Sequence, residues 1–92
     1  MTEAYSLHLI FSIDGWHKAC QLITENDRVL LLQDAVFLSQ QDLPERSPLY
    51  HNLFARCVDT RARNIKANPH IEVIDDEQWL ELTEHAQNVI SW

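Results

Sequence analysis

The sequence predicts an α/β domain, an open, mostly parallel sheet of four to five strands with helices flanking it. Three observations predict this. Residues 29–32 read Val-Leu-Leu-Leu with no polar interruption, as a strand does when it is covered on both faces. Short apolar runs rich in β-formers alternate along the sequence with segments of helical spacing, the order that builds parallel crossovers. The length, 92 residues, suits one small domain, residues 1–92.

Each element follows from local pattern. Residues 5–11, YSLHLIF, make the first expected strand, with Leu7, Leu9 and Phe11 alternating against Ser6, His8 and Ile10. Residues 12–15 break it, and Asp14 is the expected N-cap of the next helix. Residues 16–25 place Trp16, Ala19, Cys20 and Ile23 at i, i+3, i+4 and i+7, one continuous helical stripe. Asn26 is the expected left-handed cap at its end. The strand at 29–32 delivers Gln33 and Asp34 to its carboxyl end, where open α/β sheets carry their sites. A polar passage over 39–47 leads to Ser47-Pro48, read as an N-cap and a first-turn proline opening a brief turn through His51. Residues 53–58 form a third strand, 59–64 a short helix capped at Asp59, and 71–74 a fourth strand. Asp75 and Gln78 stand at capping-box spacing at the start of the last helix. Trp79, Leu82, Ala86 and Val89 form that helix's stripe before the closing Ser91-Trp92.

Composition narrows the function. Seven Lys+Arg stand against 14 Asp+Glu, a formal charge of −7. That disfavours direct binding of nucleic acid, whose affinity comes from basic surface, and of anionic membranes. Hydrophobic residues make up 46% of the sequence, more than a thin domain hides easily, so a subunit interface is expected. The opening MTEAYS has no basic or long apolar leader and no stretch reaches membrane-span length. We therefore expect a cytoplasmic protein with reduced thiols.

The chemistry-bearing residues form no complete constellation. Gly15 is the only glycine, which excludes the P-loop and the dinucleotide fingerprint, and no cofactor is expected. Asp34, Asp59 and Asp75-Asp76 fall at successive strand ends and would make one acidic edge. Asp59 and Asp75 read as helix caps, and Asp34 reads as an acceptor for backbone donors of the next turn, with general acid–base work as its alternative. Cys20 falls on the buried stripe of the first helix and reads as a core cysteine; a reactive thiol would need exposure and a positive neighbour. Cys57 shares a strand face with Leu53 and Ala55. The five histidines, at 8, 17, 51, 70 and 85, show no metal-ligand spacing.

The segment Val29-Leu30-Leu31-Leu32-Gln33-Asp34-Ala35-Val36 resembles the LLLQDGV-type central strand of the TusB/DsrH family of sulfur-relay proteins. Asp59-x-x-Ala62-Arg63-Asn64-Ile65 is similar to that family's D-x-x-ARG-(I/L) segment, and the 71–75 strand and closing Trp92 agree with it. The resemblance implies a DsrE/F/H-like fold. It implies a heterohexamer with TusC/DsrF-like and TusD/DsrE-like subunits, which passes persulfide sulfur between cysteines towards a TusE/DsrC-like carrier. The sulfur would serve 2-thiolation of the tRNA wobble uridine, or dissimilatory sulfur oxidation in the Dsr branch. The principal acceptor cysteine of such a complex lies on the TusD/DsrE-like subunit, so the role implied here is assembly and positioning. Cys20 is the nearest match to a first-helix cysteine of some members and is the candidate persulfide carrier. Gln33, Asp34 and Trp92 are the interface candidates. Ala35 and Asn64 stand where the family has glycine; asparagine tolerates positive φ, alanine does not cheaply. Two alternatives stay open: a sulfurtransferase using Cys20 itself, and a stand-alone homo-oligomeric module for a small ligand.

Overall fold

The computed structural model describes residues 4–41 and 51–92. In sequence order these form β1 (Ser6–Ile10), α1 (Ile13–Ala19), β2 (Arg28–Leu31), a 3-10 helix (Gln33–Gln40), β3 (Leu53–Arg56), α2 (Cys57–Ala62), β4 (Glu72–Ile74), α3 (Asp76–His85) and β5 (Asn88–Ser91). The strands pair as one five-stranded sheet in the order β4-β3-β2-β1-β5. Every pairing is parallel. The expected α/β layout is therefore present, with β1, β2 and β3 as inner strands. Among the described residues no helix is long and apolar enough to cross a membrane.

The topology sets where helices lie. β1 to β4 step outward in sequence, then α3 leads the polypeptide back to the far side of β1. Right-handed crossovers that reverse direction put their helices on opposite faces. One face accordingly packs Ile10, Val29, Leu31 and Ala55 against Trp16 and Ala19 of α1 and Val36 and Leu38 of the 3-10 helix. The other packs Leu7, Leu9, Leu30 and Leu32 against Trp79 and Leu82 of α3. The unbroken run at 29–32 is explained by this: consecutive residues point into two different cores, and all four are buried. Tyr5 ties the second core to α3 by donating its hydroxyl to the Leu82 carbonyl at 2.6 Å.

Several expected boundaries move. The first helix starts three residues early and stops at Ala19, and its N-cap is Ser12, not Asp14. Ser12 Oγ accepts the Gly15 N–H at 3.0 Å. Asn26 does not take the left-handed conformation; among the described non-glycine residues Gln33 (φ 49°) and Asn64 (φ 52°) do. Asn64, a residue type that tolerates it, thus makes a positive-φ turn, while Ala35 lies in the 3-10 helix and Gln33 takes the positive φ before it. β3 ends at Arg56, so Cys57 is helical rather than a strand residue on the face of Leu53 and Ala55. The last helix ends at His85. Val89 belongs to β5, not to the helical stripe. The capping box at Asp75 and Gln78 forms as expected, with Asp75 Oδ1 accepting the Gln78 N–H at 2.9 Å. The expected turn at Ser47-Pro48 lies outside the described residues.

Candidate functional site

The carboxyl ends of β2, β3 and β4 do bring Asp34, Asp59 and Asp76 to one edge, but two arginines link them there. Arg56, the last residue of β3, grips Asp76 in a bidentate pair at 2.8 and 2.9 Å and stands 3.5 Å from Asp59. Its guanidinium lies 5.3 Å from the centre of the Trp79 ring. Arg63, just past α2, reaches Asp34 at 3.0 Å and Asp59 at 3.6 Å. The Arg56 hydrogen bonds hold the Asp76 carboxyl below the usual carboxylate range and push the guanidinium's own pKa further up.

Asp59 is the hub of this edge. It is not the N-cap that its spacing suggests: α2 begins at Cys57 and Asp59 sits inside its first turn. Its Oδ2 accepts the Gln33 N–H at 2.9 Å, which anchors the left-handed residue at the end of the central strand. Asp34 is likewise corrected: its carboxylate takes the Arg63 Nε–H rather than serving the next turn. The three carboxylates are therefore in ion pairs, and as arranged the edge positions backbone and side chains rather than presenting an unpaired acid or base. The signal for it is present in sequence, as Arg56, Asp59 and Arg63 at i, i+3 and i+7 across a strand end.

The candidate cysteine departs most from expectation. The stripe reading buries Cys20; the structure exposes it, because α1 ends at Ala19 and Cys20 is its C-cap, with Trp16, Ala19 and Ile23 taking the core contacts. Its Sγ–H donates to the His17 carbonyl at 3.4 Å. Cys57 is half-buried at the start of α2. The interface candidates Gln33 and Asp34 are exposed, as an interface residue must be before its partner arrives.

Trp92 is built into the fold. Its backbone continues the pairing of β1, donating to the Leu9 carbonyl at 2.8 Å and accepting the Phe11 N–H at 3.2 Å. Its indole Nε1–H donates to His8 Nδ1 at 3.0 Å. Indole nitrogen only donates, so Nδ1 is the acceptor and the imidazole proton sits on Nε2, which donates to Asp27 Oδ2 at 3.0 Å. Asp27 also accepts the Thr24 and Ser6 N–H groups. Burial raises the Asp27 pKa, but the His8 hydrogen bond and the two backbone donors outweigh it and leave the carboxyl below its usual range. Sequence reading passes over His8 and Asp27; His8 shares the parity of Ile10 in an apolar strand, the mark of an inward-facing polar side chain that needs a partner.

Among the described residues no group of three or more His, Cys, Asp or Glu is placed to hold a metal ion. Comparison with curated proteins gives no match. Comparison with protein families does: the model of the DsrH family, described as DsrH like protein, matches residues 11–89. That span runs from the end of β1 into β5 and takes in both the arginine–carboxylate edge and Cys20. The chain thus belongs to the DsrH family and is a sulfur-relay subunit, of a kind that works in complex with other subunits.

Proposed function

We propose that this protein, with residues 1–92 acting as one domain in the cytoplasm, is the positioning subunit of a heterohexameric relay with TusC/DsrF-like and TusD/DsrE-like subunits. The relay supplies sulfur, through a TusE/DsrC-like carrier, for 2-thiolation of the tRNA wobble uridine. The observation that carries this reading is the paired state of the carboxyl edge. Asp34, Asp59 and Asp76 are all engaged by Arg56 or Arg63, so among the described residues the usual site region of the sheet holds a braced surface and no nucleophile–base pair. Such an edge orients neighbours and leaves the sulfur chemistry to a partner's cysteine.

The exposure of Cys20 favours a second reading, in which this subunit carries sulfur too. The Cys20 thiolate would attack the outer sulfur of a partner's persulfide; that S–S bond breaks, the partner leaves as a thiolate, and the new S–S bond is on Cys20. One experiment separates the two. The complex reconstituted with Cys20→Ser is assayed for sulfur delivery to the downstream carrier. Undiminished transfer supports the positioning role; a loss of a hundredfold or more, with assembly intact by native mass measurement, establishes Cys20 as a carrier. A protein that assembles with neither subunit sinks both.

A further inference from the structure

We infer that the open flank of α3 is the docking surface for a non-identical protein subunit that presents an apolar ridge inside a basic rim. The inference rests on the heteromeric reading above and names the surface and partner chemistry that it requires.

All-parallel sheets are covered on both faces. Among the described residues, one face carries α1 and the 3-10 helix, while the other carries α3 alone. Beside α3, above β1 and β5, a cleft of about 360 Å³ opens, lined by Leu9, Asp76, Trp79, Leu80, Thr83 and Val89. Leu80 and Val89 are 58% and 43% exposed. β5 is an edge strand exposed along its whole length, so the cleft runs out onto a backbone edge that is unpaired among the described residues. An apolar surface continuous with a free edge is a site of association.

The charge around it selects the occupant. Residues 75–85 contain Asp75, Asp76, Glu77, Glu81 and Glu84 and no Lys or Arg. Glu77 and Glu84, at i−3 and i+4 from Leu80, flank it on the same helical face. Of these carboxylates Asp76 is neutralised from within by Arg56. A second copy of this protein, itself at −7, would bring acidic rim against acidic rim in a two-fold contact, and nucleic acid would be repelled outright. A protein surface with Lys or Arg around an apolar ridge meets both the cleft and its rim.

The test uses the full-length protein, co-expressed with the DsrE-like and DsrF-like subunits of its own genome and read by size exclusion and native mass measurement. Leu80→Arg and the double change Glu77→Lys with Glu84→Lys are each expected to weaken assembly at least tenfold, and assembly is expected to weaken as salt rises. Leu22→Arg, at a site 64% exposed beyond α1, is the control and leaves assembly unchanged; circular dichroism checks that each variant keeps its fold. A complex that forms normally with Leu80→Arg overturns the inference while sparing the heteromeric reading. Self-association abolished by Leu80→Arg also overturns it, since the occupant would then be a second copy. If the unmodified protein joins neither subunit, the heteromeric reading fails and takes the inference with it.

Discussion

Two residues show how much of this fold rests on single contacts. Gly15 is buried within α1, and a Cβ there would lie 2.9 Å from the backbone carbonyl carbon and oxygen of Trp92. Those atoms cannot swing aside, because the Trp92 backbone is hydrogen-bonded to both Leu9 and Phe11. Ala is favoured over Gly in a helix by about 1 kcal/mol, but forcing a methyl into a packed contact costs about 1–3 kcal/mol. Gly15→Ala is therefore expected to destabilise by about 1 kcal/mol net, checked by urea unfolding, with a shift in tryptophan emission as Trp92 is displaced. Trp92 itself reads in sequence as an interface residue, but its indole is half-buried, engaged by the core and by His8. A lone terminal aromatic gives no sign in sequence of an acceptor 84 residues away.

At the scale of elements, the central strand, the Asp75 capping box and the alternation of strands with helices are legible because each is written in neighbouring residues. The misses share one cause, a local pattern that fits two structures. Val89 continues the spacing of Trp79, Leu82 and Ala86, so periodicity absorbs β5 into the helix; no glycine or proline stands between to mark the break. Cys57 keeps the parity of Leu53 and Ala55, yet the backbone turns helical there. Cys20 sits at a stripe position that the helix never reaches. The turn from β2 into the 3-10 helix shows the same limit, since nothing in sequence marks Gln33 as the residue that takes a positive φ. The left-handed conformation costs a non-glycine residue about 1–2 kcal/mol, whereas glycine's extra unfolded-state entropy costs about 0.4–1 kcal/mol. Relief wins: Gln33→Gly is expected to stabilise by about 0.5–1 kcal/mol in urea unfolding. An unchanged or lower midpoint would show that the Gln33 side chain itself supports this turn.

For the whole molecule, acid is the revealing variable. Asp27 and Asp76 titrate lower in the folded protein than in the unfolded one. Their contribution is complete above the unfolded value near about pH 4 and is lost as pH falls through the folded values. The part of the urea midpoint that these two carboxylates supply is thus expected to be constant between neutrality and about pH 4.5 and to fall below about pH 4. Asp27→Asn, which keeps the shape but not the charge, should lower the plateau and blunt the drop; a parallel profile would remove Asp27 from the account. The pairing of β1 with β5 has a different consequence, in time rather than stability. Ser6 and Asn88 stand side by side although 82 residues apart in sequence. Closing a loop of that length directly costs about 4 kcal/mol of conformational entropy, so the nearer β1–β2 pairing forms first and the nascent sheet presents β1 as a bare edge. During synthesis that edge waits for the 82 residues that separate Ser6 from Asn88 to emerge before β5 can cover it. A folding intermediate of this kind is open to strand capture, and production of the protein alongside its partners, rather than alone, is the condition under which it is best protected.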